Sequence, residues 1–180
     1  MPKTAPLSVL APFNRPHSVD GETADFLYAL YKLLRNAPKA VSKHARKRTF
    51  ESAADSAHAW RVVCISENAL KHIAENKNTE GLRRAHAMPR EERFQAIFGD
   101  GAREWGRDEL LKFFFENDTC ALVTGEENNQ DSTDHWSKLH GVEEGYLCKG
   151  SFAVYARKNT DVPWAENLWD KVKPKASTPS

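Results

Sequence analysis

The sequence predicts an α+β fold: several helices packed on a small antiparallel sheet of three to four short strands. Three observations lead there. Apolar residues recur at three- and four-residue spacing in several separate segments. Two compact runs, WRVVCI at 60–65 and TCALVT at 119–124, are rich in β-branched and small apolar residues. Turn-forming clusters such as 76–81 and 99–106 stand between these segments.

Residues 1–17 carry four prolines and no periodicity, which predicts an extended arm. Ser18 or Asp20 is placed to cap a helix through Asn36, with Phe26, Leu27, Leu30, Tyr31, Leu33 and Leu34 as its apolar stripe. Pro38 ends that helix. Residues 39–48 read as a short basic helix or loop, and the alanine-rich 50–60 as helix. After the first strand, Ser66 caps a helix through Asn76, and Glu67 in its first turn favours the helix dipole. Residues 82–87 form a short strand. Pro89 opens a helix through Phe98, and 107–116 forms another with Leu110, Leu111 and Phe114 on one side. At the end of the second strand run Thr124 is followed three residues later by Glu127, the capping-box spacing. Residues 130–140 read as irregular, or helical at their end, and 147–157 as strand-like. Trp164 and Trp169 sit in a terminal helix, and 173–180 form a disordered tail.

With 180 residues the chain fits one globular domain, 18–172, between the arm and the tail. No apolar stretch is long enough to span a membrane. The N-terminal apolar run, 7–11, is too short and proline-broken for a secretory signal, so a cytoplasmic protein is expected. The formal charge of +1 says nothing about partners, but its distribution does. Residues 32–48 hold seven lysines and arginines and no acid, whereas 100–144 is acidic. That asymmetry predicts a basic face for nucleic acid, with Lys43, Arg46, Lys47 and Arg48 at its densest part, and an acidic face for a protein partner. The same charges also suit merely solvated helix surfaces. Cys64, Cys120 and Cys148 are odd in number and form no CxxC pair, so buried free thiols are expected rather than a structural zinc site.

The chemistry-bearing order is RRAHAMPREER at 83–93, then FFENDTCALVTGEENN at 114–129. A histidine, His86, ends a short strand. An asparagine, Asn117, precedes an apolar strand, and a capped turn carrying Glu127 and Asn128 follows it. This order resembles the ββα-metal (HNH) nuclease superfamily over residues 82–130, in the variant whose last histidine is asparagine. The resemblance implies an endonuclease hydrolysing DNA phosphodiesters. His86 would be the general base and Asn117 the orienting residue. Asn128 would help hold one divalent cation such as Mg²⁺, with Glu126, Glu127 or Asp118 supplying the carboxylate, Glu127 being preferred. Phosphodiester hydrolysis needs a base near neutrality and positive charge on the phosphate oxygens. Arg83 and Arg84, with Arg90 and Arg93 nearby, would contact the phosphate backbone. The chain departs from the superfamily at Ala85, where an acid or second histidine often stands, and in lacking zinc-stapling cysteine pairs. The plain alternative makes His86 a surface histidine and the two asparagines ordinary turn residues.

Two further groupings are weaker. Asp131, Asp134, His135 and His140 fall in one polar segment, but the histidines are not spaced for one helix face. Cys64 with His58 or His72 lacks the exposed setting a reactive thiolate needs. No GxxxxGK[ST], GxGxxG or GxSxG motif occurs. The expectation is therefore a small nucleic-acid-acting protein, of restriction, plasmid or mobile-element type if it is an endonuclease. The competing expectation is a non-catalytic regulatory module that binds nucleic acid or protein.

Overall fold

The two apolar runs become the central strands of a four-stranded sheet. A computed structural model describes residues 7–13, 18–38, 40–56, 61–129, 133–147 and 154–174. Strand β1 is Arg61–Ser66, β2 is Leu82–His86, β3 is Thr119–Thr124 and β4 is Leu139–Gly141. Their order across the sheet is β2-β3-β1-β4. The sheet is mixed, not antiparallel throughout. β1 and β3 run parallel, while β2 and β4 flank them antiparallel. The physical reason lies between the central strands. Residues 67–118 contain three helices, ample length for the crossover that parallel pairing requires. Both central strands are buried almost throughout, as parallel strands usually are.

Helix α1 is Leu7–Leu10, and a 3-10 turn at Ala11–Phe13 follows it. The arm is thus helical over 7–13 rather than extended, because Leu10 buries itself on one sheet face with Val63, Ala121 and Val123. On the opposite face, α4 (Glu67–Asn76) and α8 (Asp161–Val172) cover the sheet through Leu70, Ile73, Val162 and Trp164. Each large apolar side chain so buried contributes about 1.5–3 kcal/mol.

Four further helices make a second core. They are α2 (Gly21–Arg35), α3 (Lys43–Ser56), α5 (Arg90–Phe98) and α6 (Arg107–Asn117). Aromatic edges interlock there: the Phe50 and Phe98 rings lie 5.5 Å apart and Phe50 and Phe114 5.3 Å apart. The Tyr31 hydroxyl accepts a hydrogen bond from the Trp105 backbone N–H at 3.1 Å. Asp20, not Ser18, caps α2, accepting from the Thr23 N–H at 2.8 Å. The buried stripe of α2 is narrower than the sequence suggested. Ala24, Leu27, Tyr31 and Leu34 face the core, whereas Phe26 and Leu33 stand 57% and 69% exposed. Positions 26 and 33 are about 100° around the helix from 27 and 34, so one face cannot bury both sets.

Other boundaries also differ. The basic segment and the alanine-rich segment form one helix, α3, from Lys43 to Ser56. Of the segment expected as strand at 147–157, residues 154–157 are irregular and 148–153 lie outside the described residues, as do 175–180 of the expected tail. Residues 139–141, expected to be irregular or helical, pair with β1 as β4. Among the described residues, no helix is long and apolar enough to cross a membrane.

Candidate functional site

The forward ends of the parallel strands, where open α/β sheets commonly bind ligands, are closed by one carboxylate. β1 ends at Ser66 and β3 at Thr124, and the short helix α7 (Gly125–Asn129) carries Glu127 back over both. Glu127 Oε2 accepts from Ser66 Oγ at 2.6 Å, from the Thr124 N–H at 2.9 Å and from Thr124 Oγ1 at 3.2 Å. Oε1 accepts from Asn68 Nδ2 at 3.1 Å and from Ser137 through its N–H at 2.9 Å and its Oγ at 2.6 Å. The capping box is reciprocal, since the Glu127 N–H donates to Thr124 Oγ1 at 3.1 Å. Burial pushes this carboxyl up, but the hydrogen bonds from Ser137, Ser66 and Thr124 outweigh it and hold Glu127 below its usual range. Six donors fill the lone pairs of both oxygens. Glu127 therefore does not fit the role of cation ligand, and no reaction step passes through a metal there. Among the described residues, no group of three or more His, Cys, Asp or Glu side chains is placed to hold a metal ion.

The opposite end of the sheet carries a different arrangement. There β2, α3, α5 and the α6–β3 junction converge, and the sheet meets the helical core. Arg93 of α5 forms an ion pair with Asp118, both side chains only 3% exposed. Arg93 also donates to the Asn117 carbonyl at 3.1 Å and lies over the Phe114 ring, 4.5 Å from its centroid. Arg90 Nε lies 3.3 Å from Glu51 Oε1 of α3. Burial, with the neighbouring Asp118 charge, pushes the Asp55 carboxyl up to about 6, against the pull of Arg84 and Arg90. Burial likewise pushes Asp118 up, opposed chiefly by Arg93.

His86 ends β2 inside this corner. Burial first, then the positive charges of Arg93, Arg90 and Arg84, push its imidazole well below the usual histidine range. The ring is therefore neutral at pH 7. Its Nδ1 is sealed from solvent and has no hydrogen-bond partner among the described residues, as is also true of Asp55 Oδ2 and Asp118 Oδ2. Such unpaired buried atoms are uncommon in native structures.

The structure brings His86 and Asn117 to this corner but leaves Glu127 and Asn128 at the far end. In the β2–β3 ladder His86 lies opposite Cys120, and Leu82 lies opposite Thr124, the residue before α7. Four residues of strand, about 13 Å, separate the two ends. Asn117 turns its amide onto its own helix, donating to the Phe113 carbonyl at 2.7 Å, so it does not reach out to orient a water. The imidazole and the two carboxamides of the HNH order do not surround one cleft.

The basic run is largely committed to the fold. Lys43 Nζ pairs with Asp100 at 2.7 Å and Lys47 Nζ with Glu91 at 3.0 Å. Arg46 donates to the carbonyls of Val41 at 3.2 Å and Ala37 at 3.1 Å, and Arg48 has partners as well. The acidic segment is matched in turn. Glu109 meets Arg103 at 3.4 Å, Asp108 meets Arg107 at 2.9 Å and Glu116 meets Lys112 at 4.0 Å. The two charged regions thus partly neutralise each other and themselves. Arg83 is exposed, donating locally to the Leu82 carbonyl at 3.0 Å, and Arg84 is half-buried. His140 pairs with Glu67 at 2.9 Å; Asp131 and the side chain of His135 lie outside the described residues. Burial pushes the Cys64 thiol up to about 12 and raises Cys120 too, so neither is a reactive thiolate; Cys148 lies outside the described residues.

Sequence reasoning missed the carboxylates Glu51 and Asp55. The signal was present: both share the α3 face that buries Phe50 and Ala54. Arg93 likewise falls on the apolar face of α5 with Phe94 and Ile97. A charge on a buried stripe needs a partner: Glu51 meets Arg90, and Arg93 meets Asp118. Comparison with protein-family models, with curated proteins and with solved structures found no match for this chain.

Proposed function

We propose that this chain acts on nucleic acid and that its working end is the His86 corner. Arg84 and Arg90 bring positive charge to a phosphodiester, and His86 accepts the proton of the attacking water. The observation that carries this reading is the place of His86, at the end of β2 and within electrostatic reach of Arg93, Arg90 and Arg84. An unprotonated histidine is the form a general base requires. The arginines that depress its basicity are also the groups a phosphate would neutralise. Substrate binding then raises the imidazole's proton affinity when the reaction needs it. Water attacks phosphorus, the bond to the leaving oxygen breaks, and the proton held by His86 is returned to the departing alkoxide. What this keeps of the HNH order is its histidine; Asn117 and Glu127 act in the fold.

A second reading, a module that binds nucleic acid without cleaving it, is favoured by the closure of Arg93 on Asp118, which commits one arginine to the interior. A plasmid-nicking assay in Mg²⁺ or Mn²⁺ buffer separates the two. The first reading predicts nicking that is lost in His86→Ala. Wild-type protein that binds DNA in a salt-sensitive way without nicking it supports the second reading, and nicking unchanged by His86→Ala removes the first.

A further inference from the structure

The edge strand β2 borders an open groove whose wall includes Asn78, Thr79, Arg83, Arg84 and Tyr155. Tyr155 is 58% exposed, a large ring left in solvent beside a cationic edge. Its segment is anchored, because Thr79 Oγ1 donates to the adjacent Val154 carbonyl at 2.6 Å. Arg83 starts from the opposite sheet face, but it is exposed on the edge strand, its guanidinium turns onto the Leu82 carbonyl, and it lines the same groove. Glu80, the carboxylate on this wall, is outnumbered by the two arginines. Alternation along β2 puts Leu82, Arg84 and His86 on one sheet face, so Arg84 belongs both to this groove and to the charged corner around His86.

We propose that this groove binds single-stranded nucleic acid, with a base stacked on Tyr155 and the adjoining phosphate on Arg83. This inference rests on the proposed function, whose substrate class it narrows. An exposed aromatic ring next to backbone-binding cations is the basic unit of single-strand recognition, because every base offers a flat face while duplex bases are already stacked. Arg84 on the groove wall stands two residues before His86 on the same sheet face, so a phosphate held at Arg84 lies close to the proposed base.

The test is fluorescence anisotropy with a labelled twelve-nucleotide oligothymidine and a duplex of the same length, at several salt concentrations. Wild-type protein is expected to prefer the single strand. Tyr155→Ala should weaken that binding about tenfold, within the range of one base–aromatic stack, while Tyr155→Phe keeps it. Arg83→Ala should reduce the salt dependence by about one phosphate contact. If wild-type protein binds neither probe, the proposed function itself fails. If it binds DNA but Tyr155→Ala binds as wild type, or the duplex is preferred, the groove assignment is overturned while the proposed function stands. Tyr155 is exposed, so its substitution leaves the fold intact, which circular dichroism checks.

Discussion

Replacing Glu127 by alanine removes the acceptor of six hydrogen bonds at the junction of β1, β3, α4 and the segment before β4. The hydroxyls of Ser66, Thr124 and Ser137 can turn elsewhere, but the Thr124 and Ser137 backbone N–H groups cannot. Each donor so stranded costs about 1–3 kcal/mol. With the lost charge-assisted bonds the expected destabilisation is about 3–5 kcal/mol. At about 2–4 °C per kcal/mol for a domain of this size, the melting temperature should fall by about 10 °C. Glu127→Gln keeps the volume but turns an amide donor toward other donors, and should lose about half as much. Urea unfolding followed by circular dichroism at pH 7.5 measures both. The pH dependence adds a check. The folded carboxyl is held below its unfolded value, so its contribution is full above about pH 4.3 and is lost as pH falls through the lower folded value. The deficit of Glu127→Gln should therefore shrink in acid. A loss below about 1 kcal/mol for Glu127→Ala would refute the view that this carboxylate ties the strand ends together.

The charged corner yields two more expectations. The Asp55 carboxyl sits at about 6 in the folded protein against about 3.9 unfolded, so the charged form is disfavoured by folding. Its cost is present above about pH 6 and fades as pH falls through about 4, below which both states are protonated. Asp55→Asn should thus stabilise by about 1–2 kcal/mol at pH 7.5, less than the full shift because the carboxyl is partly solvated and still attracted by Arg84 and Arg90, and by little at pH 4 in the same unfolding assay; equal effects at both pH values would contradict this. Breaking the Arg93–Asp118 pair by Arg93→Ala should cost about 3–5 kcal/mol, because it strands a buried carboxylate, whereas the double change Arg93→Met with Asp118→Leu should recover most of the loss. A double variant no more stable than Arg93→Ala would argue that the pair is held for more than mutual compensation.

Elements with strong local signals were legible in the sequence. β3 matches the TCALVT run residue for residue, α4 begins at its Ser66 cap, and the Thr124–Glu127 capping box forms as its spacing requires. Strand direction was not legible, because pairing β1 with β3 depends on how 67–118 folds back, not on either strand's residues. β4 escaped because three residues, Leu139–Gly141, carry no periodicity, and they become a strand only by pairing with the finished edge of β1. The site was half legible. His86 and its arginines stood out as a cluster, but their carboxylate neighbours Glu51 and Asp55 lie about thirty to forty residues earlier in the chain, and only packing of α3 on α5 brings them in. Glu127 and Asn128 lie at the other end of the sheet from His86, because motif order gives sequence, not which end of a strand each residue reaches.

The ionisation of His86 is the direct measure of the central claim. Its imidazole can be followed by two-dimensional NMR of histidine-labelled protein, titrated alone and with a short oligothymidine. The ring should stay neutral well below the ordinary histidine range in the free protein, and its titration should move upward when phosphodiester binds. A ring that titrates at the ordinary histidine value, or one indifferent to the oligonucleotide, would contradict that claim.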